Sequence, residues 1–226
     1  MKFEYIGHAC ICCHAENGKK LVLDPPAESY GYILPDTDAD YVSCSHGHGD
    51  HAAAELFPAP ARLPQEGLHL KAGPFTLERF PCWHDDQNGR LRGPNLVQKV
   101  TADGITLVHL GDLGHMPDDA LRKFASGADL LAVPVGGVFM LEPEQMLQVV
   151  DALHPRYVLP IHYRCDQSSL QQLRTLEDFL SMWKGSVLRL ECPEFTLPTE
   201  HPEEPVVIVA DYSSRNHGSL PDRREI

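Results

Sequence analysis

The stretch "SHGHGDH", residues 45–51, crowds His46, His48, Asp50 and His51 around Gly47 and Gly49. Imidazoles two residues apart on extended backbone point the same way. The two glycines permit a sharp path that turns Asp50 and His51 elsewhere. One loop of this composition can present ligands to two neighbouring cations. A single histidine after a strand is commonly a satisfied core or surface residue, but clustered histidine and carboxylate form the recognised ligand pattern of a metal site.

Reading outward, other candidate ligands follow apolar runs in the same way. "YVSCS" leads into His46, His48, Asp50 and His51, "FTLERFPCW" into His84, "TLVHLG" into Asp112 and "RYVLPI" into His162. Each sits at the C-terminal end of an expected strand. In α/β architectures that is the edge where loops from several strands converge on a rigid base. These residues exceed what one tetrahedral zinc requires and suffice for two divalent ions.

The flanking chain alternates between strand and helix signals. "HACICCHA" and "KKLVLDP" read as a hairpin through "ENGK", whose Asn17-Gly18 pair suits a type I′ turn, and "NLVQKVT" and "ITLVHLG" read as a second hairpin turning at Gly104. "LHLKAG" and "FTLERFP" add strands, and a helix is expected at "HAAAELF". Farther on, "LLAVPV", "PEQMLQVVDALHP" and "RYVLPIH" form a strand-helix-strand unit. Met146, Val149, Val150 and Leu153 recur at helical spacing between Pro143 and Pro155. A second helix is expected over "SSLQQLRTLEDFLSMW", capped by Ser168 or Ser169, with Ser169 and Gln172 as a capping box and Leu173, Leu176, Leu180 and Trp183 as a core stripe. "SVLRLE" and "VVIVA" are further strands.

A chain of 226 residues without a long linker or repeat is expected to form one α/β domain over 1–226. From about Cys192 the composition turns Pro-rich and acidic, and beyond Tyr212 the tail is either mobile or an interaction arm. The formal net charge of −13 repels phosphate backbones, so a nucleic-acid partner is disfavoured and a small-molecule substrate fits better. "MKFEYIGHACICC" lacks the features of a secretory signal and reads as a mature start. The longest apolar run, Leu130 to Leu141, is interrupted by Pro134, Gly136 and Gly137, so no membrane span is expected. Seven cysteines without a regular framework point to reduced thiols and a cytoplasmic location. Cys10 and Cys12 lie two apart, where a strand puts them on one buried face; a soft-metal cluster with Cys13 is the competing reading.

The ordered set of motifs resembles the metallo-β-lactamase superfamily. "HGHGDH" matches its His-x-His-x-Asp-His signature, and His84, Asp112 and His162 follow in the order of its later motifs. "GHACI" (7–11), Asp24-Pro25, Gly111-Asp112 and "PIHY" (160–163) are similar to stretches of its small stand-alone hydrolases, the group that includes ascorbate-6-phosphate lactonase-like proteins. The resemblance implies a four-layer αββα sandwich with metals at one edge of its two sheets. It also implies that His46, His48 and His84 hold one ion, Asp50, His51 and His162 the other, and that Asp112 bridges them.

Two cations flanking one water lower its pKa from about 15.7 toward about 7, so a metal-bridging hydroxide can attack a small ester, lactone or phosphoester. In the di-iron oxygen- and nitric-oxide-reducing members the second signature residue is glutamate. His48 here favours zinc over redox iron, with manganese or iron as other occupants. True β-lactamases place a cysteine where this chain has Asp112, which disfavours an antibiotic-cleaving role.

A phosphodiesterase acting on nucleotides or nucleic acid and a non-catalytic metal-binding scaffold are the competing functions, and a homo-oligomer is compatible with either. His8 and His115 lie near expected metal loops. Each either orients a ligand or passes a proton to a leaving group, or is a structural hydrogen-bond donor. Arg90, Arg92 and Asn95 lie in a Gly-rich loop that reads equally as a substrate-recognition loop, with an arginine meeting an anion, or as a solvated hairpin. His14, His69, His109, His154, His201 and His217 lack such a setting.

Overall fold

The computed structural model describes residues 1–34 and 37–212. The tail beyond Tyr212, for which a mobile segment or an interaction arm was considered, lies outside the described residues, as does His217.

The chain opens with three strands, β1 (Lys2–Gly7), β2 (Cys10–His14) and β3 (Lys20–Leu23). In this sheet side chains alternate between two hydrophobic surfaces, as a period of two requires. Phe3, Tyr5, Ile11, Cys13, Leu21 and Leu23 enter the main core. Ile6, Cys10, Cys12 and Val22 point the other way and pack against Val42, Phe57 and Ala61 in a smaller cluster. Cys10 and Cys12 therefore share one buried face, and no cysteine of the chain is in a disulfide.

β1 lies outside the expected strands, although Lys2, Phe3, Glu4 and Tyr5 alternate polar and apolar with the period of two of a half-buried strand. The β2–β3 connection also differs from the type I′ expectation. Asn17 is not among the positive-φ residues, Gly18 is at φ 84°, and Gly18 N–H donates to Ala15 C=O at 2.9 Å. This is a three-residue loop closed by a left-handed glycine. The second hairpin does have two positive-φ residues, Asp103 and Gly104.

After β3 come β4 (Tyr41–Ser43), β5 (His69–Ala72), β6 (Phe75–Trp83), β7 (Pro94–Ala102), β8 (Ile105–His109), α1 (Asp119–Ala125), β9 (Leu130–Pro134) and α2 (Pro143–Leu153). β10 (Tyr157–Ile161), α3 (Leu176–Leu180), β11 (Val187–Arg189), β12 (Glu194–Phe195) and β13 (Val206–Val209) complete the order. The first sheet runs β12-β1-β2-β3-β4 and the second β11-β13-β10-β9-β8-β7-β6-β5. Every residue of β9 and β10 is buried. A strand buried on both faces is covered on both; the first sheet (Phe3, Leu21), α1 (Leu121), α2 (Met146, Val150) and α3 (Phe179) all join the core around these strands. This is the mixed α/β, two-sheet arrangement expected, with the layer outside the first sheet reduced to short 3-10 turns between residues 28 and 61. Among the described residues no helix is long and apolar enough to cross a membrane.

α2 matches its sequence pattern: Pro143 begins it, Glu142 N–H donates to Gln145 Oε1, and it stops at His154, at φ 46°. Two other helix expectations fail for identifiable reasons. "HAAAELF" yields only a single 3-10 turn, Ala54–Leu56, because Ala53 offers no side-chain cap and Pro58 and Pro60 follow at once. The stretch after Ser168 is helical only over Leu176–Leu180, where Thr175 and Asp178 form the capping box. Its earlier part is committed elsewhere: Ser169 N–H donates to Tyr30 C=O and Arg174 N–H to Gly136 C=O. The short helix α1, capped by the Asp118 carboxylate on Leu121 N–H at 2.8 Å, carried no strong periodic signal. The Pro-rich tail contributes to both sheets, β12 pairing with β1 and β13 with β10.

Candidate metal centre

His84, Asp112 and His162 each follow the C-terminal end of a second-sheet strand, and the 45–51 loop and Asp24 follow β4 and β3 of the first. The two sheets thus deliver them to one edge. Ligand atoms of His46, His48 and His84 form one group, and those of His8, Asp50, His51 and His162 another, all within 4.8 Å of one another inside each group. Asp112 touches both groups. Its Oδ2 lies 2.9 Å from His84 Nε2 and 3.4 Å from His162 Nε2, and its Oδ1 lies 3.3 Å from His51 Nε2. The structure thus brings His46, His48 and His84 together in one group and Asp50, His51 and His162, joined by His8, in the other, with Asp112 between. Only His48 in these groups is exposed.

Several of these atoms are buried without a hydrogen-bond partner: His46 Nε2, His51 Nε2, His162 Nε2 and Asp112 Oδ1. Burying a polar atom unsatisfied costs about 1–3 kcal/mol, and four aimed at a common region are the donor set that a divalent cation satisfies. The residues present fit such a group. The carboxylates carry the electrostatic demand for it. Burial would raise the Asp112 carboxyl, but His162 and His51 outweigh it and hold it well below the usual range. Burial is likewise overcome at Asp50, where the neighbouring His162, His8 and His51 hold the carboxyl well below the usual range. Burial lowers His46 to about 3, so its imidazole is neutral and its lone pair available.

Sequence reading missed the residues that aim these ligands. Asp24, fully buried and at φ 49°, accepts from Ser45 N–H at 2.7 Å, Ser45 Oγ at 2.5 Å, Gln98 Nε2 at 3.0 Å and His51 Nδ1 at 2.8 Å. Because Ser45 gives its proton to Asp24, its oxygen accepts from His46 Nδ1 at 2.9 Å. One carboxylate thereby assigns the tautomers of His51 and His46 and leaves both Nε2 atoms facing the centre. Gln98 is in turn held by Ser43, and Ser43 by the buried Arg79. The Asp24-Pro25 dipeptide was the only available signal.

His109 is likewise not background. Its Nε2 donates to Ala9 C=O at 2.8 Å and its Nδ1 accepts from Gly111 N–H at 3.0 Å, tying the turn that carries His8 to the loop that carries Asp112. Asn95 is fully buried, donating to Leu110 C=O and accepting from Asp112 N–H, and so belongs to the support of Asp112.

His8, at φ 55°, places its Nε2 3.2 Å from Asp50 Oδ2 and its ring centroid 4.0 Å from that of His162. His162, at φ 53°, donates its N–H to His8 C=O at 2.7 Å. Left-handed backbone at three non-glycine residues of one site, His8, Asp24 and His162, is the strain that functional sites store. His115 joins neither group of ligand atoms. Its Nε2 accepts from Trp83 N–H and its Nδ1 donates to Met116 C=O, so it clamps the loop after β6.

A cavity of about 360 Å³ opens over the centre, lined by His48, Asp50, His84 and Asp112 and walled by Tyr30, Arg92, Phe139 and Leu170. Asp85 shapes that wall by accepting four backbone N–H bonds, from Gln87, Gly89, Leu91 and Arg92. Arg92 donates to Val138 C=O at 3.1 Å and lies over the Phe139 ring.

Two sheets meeting at an edge that gathers histidines and aspartates define the metallo-β-lactamase class of fold. The model of the Beta-lactamase superfamily domain matches residues 2–162, and the chain belongs to that superfamily. Within it the chain is similar to the UPF0173 metal-dependent hydrolases. It is 29% identical to the one from Carboxydothermus hydrogenoformans and 30% identical to the one from Pelotomaculum thermopropionicum, each over 72% of this chain and 84% of the relative. Among solved structures it is similar to an inferred Zn-dependent hydrolase of the metallo-β-lactamase superfamily from Thermotoga maritima, with TM-score 0.72 and 29% identity over 93% of this chain and 99% of the other.

Proposed function

We propose that the chain is a dinuclear hydrolase, loaded with zinc in the first place, that cleaves a small ester, lactone or phosphoester. The observation that carries this reading is the set of buried, unbonded ligand atoms on His46, His51, His162 and Asp112 converging from both sheets. His46, His48 and His84 would hold one ion and Asp50, His51 and His162 the other, with Asp112 shared. When bound, such a pair supplies a Lewis acid for the scissile group and lowers the pKa of water toward about 7.

The chain's own residues do the rest. Asp24 keeps His46 and His51 in the tautomers that present Nε2. His8 steadies Asp50 through its Nε2, 3.2 Å from Asp50 Oδ2. Phe139 and Leu170 narrow the approach of solvent. A cytoplasmic location accords with seven unbridged cysteines.

The test is elemental analysis of protein purified without added metal, beside Asp112→Asn, followed by a panel of lactones, aryl esters and bis-aryl phosphodiesters. Two zinc ions per chain, fewer in the variant, with turnover reduced by orders of magnitude, is the expected result. Two iron ions would turn the reading toward redox chemistry. Absence of metal after incubation with zinc or manganese would sink it. A scaffold protein would show the same null activity in both forms, and a phosphodiesterase would cleave only the phosphodiesters.

A further inference from the structure

On the opposite face of the first sheet, away from the core, lies a second group of ligand-type side chains. We propose that Glu4, Cys12 and His14 form a separate site for zinc or a similar borderline divalent transition metal.

The placement follows from strand geometry. Glu4 pairs directly with Cys12 across β1 and β2, and His14 is the next residue of β2 on the same face. One ligand atom of each, a carboxylate oxygen, a sulfur and an imidazole nitrogen, lies within 4.8 Å of the other two. His14 Nε2 is 3.4 Å from Glu4 Oε2, yet it is buried and makes no hydrogen bond. The side chains of Glu4 and His14 are only 16% and 19% exposed, and Cys12 is 4% exposed. A cavity of about 240 Å³ opens above them, bordered by Val22 and Phe57 on its apolar side and by Glu194 on its polar side. Glu194, opposite Glu4 across β12 and β1, is ion-paired with Lys2 at 2.8 Å, so Glu4 is the carboxylate facing Cys12 and His14.

The donor set decides the cation. Calcium and magnesium take oxygen ligands, whereas one sulfur, one nitrogen and one oxygen at a half-open position suit zinc. A cross-strand ion pair between His14 and Glu4 is the simpler account, but it leaves His14 Nε2 without a hydrogen bond beside a thiol. Binding transfers the Cys12 thiol proton to solvent and changes no oxidation state. Cys10, fully buried on the same face, has its thiol pushed up by burial and stays protonated. A bound ion would clip β1 to β2, the two strands that flank the turn carrying His8.

The His/Asp centre contains no sulfur, so cobalt distinguishes the two sites whatever the occupancy or activity of the first. Metal-stripped, reduced protein is titrated with Co²⁺ and followed by absorption. A sulfur-to-cobalt charge-transfer band with the intensity of one thiolate–cobalt bond per chain, displaced by zinc, is expected in the wild type. It should vanish in Cys12→Ser, and Co²⁺ should bind about 10-fold or more weakly at this site in His14→Gln and Glu4→Gln, by analogy with lost support at metal ligands. The ligand-field bands of the His/Asp centre should persist in all three. No band in the wild type, or a band that survives Cys12→Ser, overturns the proposal. Should Cys12→Ser fail to fold by circular dichroism, an unchanged band affinity in both His14→Gln and Glu4→Gln overturns it equally.

Discussion

Asp24 accepts the Nδ1 proton of His51 at 2.8 Å while His51 Nε2 points at Asp112 Oδ1, 3.3 Å away. The buried carboxylate thus fixes which nitrogen faces the centre, and through Ser45 it does the same for His46. Asp24→Asn puts an amide donor among groups that all donate. Metal affinity should fall about 10–100-fold, as for other groups that orient a ligand, measured by chelator competition. Wild-type affinity would mean that His51 and His46 are aimed by packing alone.

Gly114 lies against the backbone of His84 and Asp85, where an added Cβ would collide with the His84 carbonyl and the Asp85 nitrogen. Gly114→Ala must displace backbone and cannot be relieved by a side-chain rotation. It should cost about 1–3 kcal/mol in urea denaturation and weaken metal retention by moving His84. Unchanged stability would show that the two loops are free to part.

Arg92 is positioned by Val138 C=O and the Phe139 ring at the wall of the cavity, and no carboxylate among the described residues forms an ion pair with it. If the chain is the hydrolase proposed above, Arg92→Met should raise KM for substrates bearing a carboxylate or phosphate by about 10-fold or more, the worth of a charge-assisted hydrogen bond. Neutral substrates should be unaffected, and steady-state kinetics on matched pairs decide it. Equal effects on both would make Arg92 a structural prop of the wall.

The Thr175 backbone N–H and hydroxyl both donate to Asp178 Oδ2 at 2.8 Å, and these bonds hold the Asp178 carboxyl below its usual range. A carboxyl depressed in the folded state adds stability above its unfolded pKa of about 3.9, and that stability is lost as pH falls through the lower folded value. Thermal melts should therefore show Asp178→Ala below the wild type at neutral pH, with the gap closing in acid. A gap independent of pH would assign it to helix propensity instead.

What the sequence determined by itself was the set of candidate ligands and the edge on which they stand. Strand signals ending in His51, His84, Asp112 and His162 are local, and a loop holding that many ligand-type side chains has little other use. The strand-helix-strand unit around α2 was equally legible, because its apolar period, Pro143 and Pro155 all lie within a few residues of one another. Tertiary structure decided what depends on distant partners. The segment after Ser168 forgoes a longer helix because Tyr30 and Gly136 accept its N–H groups. "HAAAELF" held a local warning in Pro58 and Pro60. Asp24, Asn95 and His109 gain their roles only in the fold: neighbouring strands of one sheet bring Asp24 to Ser45 and Asn95 to the loop of Asp112, and the meeting of the two sheets brings His109 to Ala9. A ligand can be named from its neighbours in the chain, but the hydrogen bonds that aim it come from residues many positions away, which only folding places beside it.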